Sequence, residues 1–156
     1  MQDDPAGAAR VVALPPLILA GALVLGFVLD VAWPAKFMPR APAFAIGILI
    51  IIGAIALGLV AVREMRRAKT PLDVRKPTTE IVTSGVFQFS RNPIYIGMVL
   101  FCLGAAFLLD SLWSLGFCAA LALVLQRGVI EPEEAYLEQK FGDKYLRYKA
   151  KVRRWL

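Results

Sequence analysis

The sequence contains no histidine, which removes the commonest general base and the commonest metal ligand of proteins. A Ser–His–Asp hydrolase is therefore excluded. Only two cysteines are present, and both Cys102 and Cys118 lie within apolar runs, so we interpret them as small core residues rather than a disulfide or a metal pair. The chain also lacks any G-x-G tripeptide, which excludes a Rossmann-type phosphate loop. We expect no metal site.

Charge is absent from long stretches of the 156-residue chain. Val11–Leu29 and Ala41–Val62 hold no charged residue, and Asn92–Gln126 holds only Asp110. A membrane-spanning helix needs about 20 mostly apolar residues. The hydrophobic fraction of 58% and the mean hydropathy of +0.63 agree with this clustering. We therefore predict an all-α integral membrane protein that forms a single membrane domain over residues 1–156.

The apolar runs divide into four predicted transmembrane helices. Their approximate limits are residues 14–33, 43–62, 92–109 and 112–130. Pro15 and Pro16 suit the first turn of the first helix, where missing N–H groups cost little. The turn at Asp110 joins the last two helices into an antiparallel hairpin. A polar loop, residues 63–91, and a polar tail, residues 131–156, complete the chain.

The distribution of Lys and Arg predicts the orientation of the chain and its partners. Of the 18 basic residues, 16 fall on the side of the long loop, the tail and both termini, so we place that side in the cytoplasm. The net charge of +6 is concentrated beside apolar spans. Anionic lipid headgroups are therefore the expected partner of these residues, and nucleic acid is not.

Apolar residues in the tail recur at helical spacing. They are Leu137, Phe141, Tyr145, Tyr148, Val152 and Trp155. Gly142-Asp143 interrupts this pattern as a helix stop followed by a new helix start would. Basic residues fill the opposite face. We predict an amphipathic helix that lies on the membrane surface or on the cytoplasmic ends of the spans.

The first polar segment with chemical potential is Thr83–Gly97. Its structural interpretation is an N-cap at Asn92, a first helical residue at Pro93 and an interfacial aromatic at Tyr95. The same geometry also suits a ligand, because a helix N-terminus presents free N–H groups to a carboxylate. Tyr95 would then pack against an adenine or a ribose.

The second polar segment is Arg127–Glu134. Pro132 predicts the start of a new helix with Glu133 and Glu134 in its first turn. The structural interpretation is that these carboxylates complement the helix dipole while Arg127 extends towards the headgroups. The functional interpretation is that the glutamates meet a cationic cofactor and Arg127 meets an anionic substrate group.

Four motifs in this order resemble the isoprenylcysteine carboxyl methyltransferase family and the related phospholipid methyltransferases. The turn is Thr83–Phe87, and the hairpin opens with Arg91–Gly97. Arg127 with Glu133, Glu134 and Leu137 follows, and the tail ends in Phe141, Gly142, Tyr145, Tyr148 and Val152. The resemblance covers about Thr70 to the C-terminus. It implies a prokaryotic integral-membrane methyltransferase of the cytoplasmic membrane that uses S-adenosylmethionine and a lipophilic acceptor.

The resemblance also implies specific residue roles. The residues that match cofactor contacts are Thr79, Glu80, Ile81, Val82, Phe87, Asn92, Pro93, Ile94, Tyr95, Glu133 and Glu134. Catalytic roles fall to Arg127 as the nearest basic group for an anionic substrate and to Glu134 as one of the glutamates that could take a proton. The sequence departs from the eukaryotic enzymes at Asn92, where they have histidine, and at Val129, where they have an arginine that holds the substrate carboxylate.

Two other functions stay open at this point. Membrane reductases of the steroid-reductase kind have a similar C-terminal layout and bind NADPH, for which Arg75 and Lys76 offer basic groups. A non-enzymatic helix bundle, such as a small transporter subunit, predicts ionisable residues deep within the spans. Only Asp30 and Asp110 come near, and both fall at the ends of predicted spans.

Overall fold

A computed structural model describes residues 11–71 and 78–156. In these ranges the chain forms six α-helices, a 3-10 turn at Gly85–Gln88 and a π-helical turn at Gln126–Ile130, and it contains no strand. The helices are α1 (Pro15–Ala32), α2 (Arg40–Arg67), α3 (Pro93–Leu109), α4 (Leu112–Leu125), α5 (Glu131–Phe141) and α6 (Asp143–Lys151). The all-α prediction is confirmed for the part of the chain that the structure describes.

Three helices are long and apolar enough to cross a membrane: α1, α2 and the continuous helix Leu112–Phe141, which joins α4, the π-helical turn and α5. Helix α3 is also apolar but has only 17 residues. Large apolar side chains such as Leu25, Leu49 and Leu59 are exposed on α1 and α2, as expected for surfaces that face lipid tails. Three of the four predicted spans therefore correspond to helices that are long enough to cross a membrane. That α3 also crosses it stays a prediction.

Helix α3 lies at the centre of the bundle and packs against α2, α4 and α1. Its closest neighbour is α2, because glycines face each other at their crossing. A Cβ atom added to Gly47 would lie 2.8 Å from the carbonyl oxygen of Gly104. Small buried residues recur every seven positions along α2, at Gly47, Ala54 and Ala61. Small residues at such positions allow two helix backbones to approach closely without a G-x-x-x-G pair.

The α3–α4 turn confirms the predicted hairpin and connects it to the loop between α1 and α2. Asp110 caps α3 in a left-handed conformation with φ of 48°. Its carboxylate accepts hydrogen bonds from the backbone N–H groups of Phe37 and Met38, each at 3.1 Å. Asp30 forms an ion pair with Lys36 at 2.8 Å. Both aspartates therefore organise this end of the bundle.

Pro132 stands in the first turn of α5 with Glu133 and Glu134, as the sequence predicts, but α5 continues from α4 without a break in the helical backbone. The backbone stays helical through Ile130 and Glu131, because a π-helical turn accommodates the proline. A proline lacks the N–H that would bond to the carbonyl four residues earlier. That carbonyl belongs to Gly128, and it accepts a hydrogen bond from the Val12 N–H at 3.0 Å instead. The segment before α1 thereby satisfies the backbone group that Pro132 leaves free.

The tail folds back onto the helix ends. The predicted break is confirmed at Gly142, whose φ is 51°. Helix α6 ends at Lys151, and Val152 has extended backbone angles, so Val152 and Trp155 lie beyond the amphipathic helix rather than within it. Trp155 packs against the hydrophobic core and donates to Gln126 at 3.0 Å. The sequence predicts that the tail lies either on the membrane surface or on the ends of the spans. In the structure it packs against the ends of the spans.

Both cysteines are free and buried between α3 and α4. Cys118 donates to the backbone carbonyl of Val99 at 3.5 Å. They are core residues, as predicted.

Candidate functional site

A cavity of about 510 Å³ opens among the polar ends of the helices, bounded by α2, α3, α5, α6 and the start of α1. Its volume falls within the range of about 300–1,000 Å³ that is typical of small-molecule sites. The structure brings ten of the eleven predicted cofactor residues to its wall. They are Glu80, Ile81, Val82, Phe87, Asn92, Pro93, Ile94, Tyr95, Glu133 and Glu134.

The first turn of α3 forms one wall of this cavity. Asn92 occupies the N-cap position and Pro93 is the first helical residue, as the sequence predicts. The Asn92 side chain, however, accepts no capping hydrogen bond from the first turn of α3. Its Nδ2 donates to the carbonyl of Arg154 at 3.0 Å. Tyr95 lies one turn further along and donates its hydroxyl to Oε2 of Glu133 at 2.8 Å.

Glu133 is half-buried at the cavity wall. Within residues 11–71 and 78–156, no lysine or arginine forms an ion pair with its carboxylate, whose hydrogen-bond partner is Tyr95. A carboxylate that is removed from bulk water and lacks a counter-charge favours a cationic ligand. Among the residues that the structure describes, Glu133 thus lines the cavity without a lysine or arginine partner.

Glu134, the next residue, has a different environment. It is buried between two arginines: Arg91 approaches Oε1 at 3.0 Å, and Arg154 contacts Oε1 at 3.1 Å and Oε2 at 2.8 Å. The Arg154 contact is the bidentate geometry that suits a carboxylate. Both oxygens of Glu134 are thus occupied, although the side chain lines the cavity.

Helix α6 supplies an aromatic wall of Tyr145 and Tyr148. Burial and, to a smaller extent, the charge of Glu134 raise the pKa of Tyr145 to about 12. Burial also raises the pKa of Tyr148, whose hydroxyl donates to the Phe87 carbonyl at 2.7 Å. Hydrogen bonding to Glu134 raises the pKa of Arg154. At neutral pH both phenols therefore keep their protons and Arg154 keeps its charge.

The loop before the 3-10 turn forms the remaining polar wall. Thr79 does not line the cavity: it is exposed, and its hydroxyl donates to the Lys69 carbonyl at 2.9 Å. Thr70 donates to the carbonyl of Glu80 at 3.0 Å, and Ser84 donates to Glu64 at 2.8 Å. These bonds fasten the loop to the end of α2, so Thr79 contributes to the position of its neighbours.

The structure does not bring Arg127 to the cavity. It is exposed on a shallow depression with Val12, Leu123, Val124 and Gly128. Arg127 and Glu134 are seven residues apart in the sequence. In a regular α-helix that spacing would place both side chains on one face. Arg127 itself lies in the π-helical turn, which inserts an extra residue before Glu134 and so rotates the helix by roughly 100° between the two side chains.

Two arginines of the site were not among the predicted site residues. Arg91 lines the cavity, is 9% exposed, and has an Nε atom that finds no partner in the described residues. Its place directly before Asn92 was a usable signal. Arg154 lies 20 residues from Glu134, and no local pattern connects the two. Tyr145 and Tyr148 were predicted as one helix face, and this face forms the cavity wall.

Comparison of the sequence with known proteins identifies a family and several relatives. The family model described as phospholipid methyltransferase matches residues 42–144, which is 103 of the 156 residues. A protein-S-isoprenylcysteine O-methyltransferase of Schizosaccharomyces pombe is 27% identical over 125 residues, covering 72% of this chain and 53% of that protein. Protein-S-isoprenylcysteine O-methyltransferase B of Arabidopsis thaliana is 31% identical over 108 residues, covering 67% of this chain and 53% of that protein.

An uncharacterized protein of Haemophilus influenzae is 65% identical over 34 residues, covering 22% of this chain and 54% of that protein. The chain thus spans about half the length of the curated relatives it matches. The family match extends from α2 to the start of α6 and includes the cavity residues of α2, α3 and α5, whereas Tyr145 and Tyr148 of α6 lie beyond it. The chain belongs to the phospholipid methyltransferase family.

Proposed function

We propose that this protein is an integral-membrane methyltransferase that transfers a methyl group from S-adenosylmethionine to a lipophilic acceptor. The observation that carries the proposal is the cavity at the polar ends of the helices, which gathers ten residues that match cofactor contacts of the family. Family membership supports the methyltransferase class. Exposed apolar side chains on α1 and α2 support the membrane location.

The residues present fit the cofactor. S-adenosylmethionine carries a sulfonium, an ammonium, a carboxylate and a purine. Glu133 offers a carboxylate that no described lysine or arginine pairs with, and the rings of Tyr95, Tyr145 and Tyr148 offer faces for a purine or a cation. Arg91 lines the same cavity with a spare Nε donor for an anionic group. When bound, the cofactor supplies an electrophilic methyl group.

The residues of this chain contribute position and charge. In-line methyl transfer depends mainly on the orientation of the two reactants and on preorganised charge. An anionic acceptor, such as a carboxylate or a thiolate, needs no general base, whereas an ammonium headgroup does. Both oxygens of Glu134 contact arginines, whereas Glu133 forms no ion pair with a described lysine or arginine, so Glu133 replaces Glu134 as the group proposed to take such a proton.

The acceptor is proposed to be a membrane-embedded carboxylate, thiol or lipid headgroup. Its apolar part would meet the apolar side chains of Leu14, Met65 and Met98 at the cavity wall. The names of the yeast and plant relatives indicate an isoprenylcysteine acceptor for those proteins. In this chain Val129 stands where the eukaryotic enzymes have an arginine, so Arg91 is the cation proposed to meet an acceptor carboxylate.

Family membership does not favour the two alternatives. A reductase would bind NADPH, and the basic residues Arg75 and Lys76 that could meet its extra phosphate lie outside the described residues. A non-enzymatic bundle would use ionisable residues within the spans. Asp30 and Asp110 instead pair with Lys36 and with backbone N–H groups at the helix ends.

Isothermal titration of the detergent-purified protein tests the proposal directly. We expect S-adenosylhomocysteine to bind in the micromolar range and NADPH to show no binding. The reverse result would assign the protein to the reductases. If a folded sample binds neither, the methyltransferase proposal fails. Melting temperatures measured on the same preparation establish that the sample is folded.

A further inference from the structure

The last residues of the chain attach to the cavity from outside it. The backbone carbonyl of Arg153 accepts from the N–H of Arg91 at 2.9 Å. The carbonyl of Arg154 accepts from Ser90 Oγ at 3.1 Å and from Asn92 Nδ2 at 3.0 Å. The segment that opens α3 is therefore hydrogen-bonded to the tail as well as to its own helix.

The side chain of Arg154 adds a second attachment, to α5. Its guanidinium contacts both oxygens of Glu134, at 3.1 and 2.8 Å, and approaches Glu131 at 3.3 Å. Arg154 itself does not line the cavity, whereas Glu134 and Arg91 do. Any effect of the Arg154 side chain on a ligand must therefore pass through Glu134 and the residues that Glu134 contacts.

We propose that Arg154 is a positioning residue that keeps Arg91 and Tyr145 in their places at the cavity wall by saturating Glu134. This inference rests on the proposed function of the cavity. Arg91 forms an ion pair with Oε1 of Glu134 at 3.0 Å and donates, at 3.4 Å, to the hydroxyl of Tyr145. Arg154 occupies Oε2, so Arg91 shares only one oxygen and stays within reach of Tyr145.

Removal of the Arg154 guanidinium would leave Oε2 of a buried carboxylate without a partner. Such a group carries a large desolvation cost, and the surroundings rearrange to lower it. Arg91 is the arginine within reach, and a bidentate contact with both oxygens is its preferred geometry. The expected result is that Arg91 turns towards Glu134 and away from Tyr145, which changes the wall that a ligand meets.

The test compares the affinity for S-adenosylhomocysteine in four variants by isothermal titration. In Arg154→Met we expect binding about 10- to 100-fold weaker than in the wild type, the range found for groups that orient metal ligands. Arg154→Lys supplies the charge without the fork and should recover only part of the loss. Arg153→Met is the matched control, because Arg153 is exposed and contributes its backbone carbonyl.

The double variant Arg154→Met/Glu134→Gln separates positioning from general structural damage. A neutral amide does not need a second arginine, so the double variant should bind no worse than Arg154→Met alone. A double variant that binds more weakly than Arg154→Met would overturn the coupling. Melting temperatures measured in parallel show whether affinity changes while the fold is kept.

The outcomes distinguish this inference from the proposed function. Wild-type protein that binds no S-adenosylhomocysteine contradicts the proposed function. Wild-type protein that binds, together with Arg154→Met binding as tightly as Arg153→Met, overturns the role of Arg154. If Arg154→Met does not yield folded protein, Arg154→Lys decides, and wild-type affinity in that variant overturns the need for the guanidinium fork.

Discussion

Two adjacent glutamates illustrate how environment separates residues of the same type. Glu133 and Glu134 both reach the cavity wall from the first turn of α5. Glu134 is enclosed by two arginines, whereas Glu133 is bonded to the hydroxyl of Tyr95. A buried charge that is paired serves structure, and one that is unpaired favours a ligand of opposite charge. The sequence marked both residues without distinguishing them.

The role of Glu133 predicts a charge-dependent loss of cofactor affinity. In Glu133→Gln, we expect S-adenosylhomocysteine to bind about tenfold more weakly, which corresponds to about 1.4 kcal/mol. The reason is that the amide keeps the shape of the side chain and loses its charge. Asp143→Asn, which removes one exposed carboxylate from α6, is the control and should bind as the wild type does. Equal affinities in the two variants, measured by titration, would remove Glu133 from the site.

Tyr95 contributes both a ring and a hydroxyl, and two substitutions separate them. Tyr95→Ala should weaken S-adenosylhomocysteine binding more than Tyr95→Phe, because the phenylalanine keeps the ring at the cavity wall. The hydroxyl bond to Glu133 is lost in both variants. Titration of both proteins gives the two contributions. Unchanged affinity in Tyr95→Ala would show that the first turn of α3 does not contact the cofactor.

At the scale of elements, the crossing of α2 and α3 fixes two walls of the cavity relative to each other. Gly47 of α2 meets the backbone of α3 at Gly104 and Leu108, and Gly97 of α3 approaches the carbonyl of Ala54. Close backbone contact of this kind leaves no room for side chains. Because Tyr95 lies on α3 and Met65 on α2, the width of the cavity depends on this contact.

The crossing predicts that one methyl group destabilises the bundle. Gly47→Ala would place a Cβ atom 2.8 Å from the backbone atoms Gly104 O and Leu108 N, so the helices must move apart. We expect a loss of about 1–3 kcal/mol, seen as a lower melting temperature in detergent. Gly53→Ala, in the same helix with no neighbouring atom within 4 Å, should melt at or above the wild-type temperature. Equal melting of both variants would contradict the close contact.

The helices were predictable from the sequence because their signals are local. Uncharged runs, the prolines at positions 15 and 93 and the Asp110 turn each act within one or two turns of helix. The sevenfold spacing of Gly47, Ala54 and Ala61 was also present in the sequence, but its meaning depends on a partner helix.

The features that sequence reasoning missed depend on distant contacts. Pro132 lies in a continuous helix and leaves the Gly128 carbonyl without its usual helical partner. The backbone N–H of Val12, far away in the chain, donates to that carbonyl instead. The same π-helical turn moved Arg127 away from the cavity. Arg154 reaches Glu134 only because the tail turns back on the bundle. Ten of the eleven residues predicted from the family motifs line the cavity, and the arrangement of charge around them came from the structure.

At the scale of the whole molecule, the two ends of the bundle differ in charge and in content. The cavity, the tail and most basic residues lie at one end, and the Asp30–Lys36 pair and the Asp110 turn lie at the other. The positive-inside rule places the basic end in the cytoplasm. This arrangement is our proposal for the topology, with four spans and both termini cytoplasmic.

Labelling of single introduced cysteines tests that topology in intact cells. A cysteine at Met38 should react with a membrane-impermeant reagent from outside, and a cysteine at Lys149 should react only after the cells are broken. Cys102 and Cys118 are buried and should give a low background. The opposite labelling pattern would invert the proposed orientation, and labelling of both positions from one side would contradict the four-span arrangement.

The packing of α1 also has a consequence for synthesis on the ribosome. Helix α1 packs mainly against α4, and Leu112, the first residue of α4, follows Ala32 by 80 positions. At about 5–20 residues per second, this separation corresponds to roughly 4–16 s. During that interval α1 has emerged but its main partner has not been made, whereas α2 and α3 can already pair. Helix α1 therefore completes its packing only after α4 has been made, although α1 comes before the other described helices in the chain.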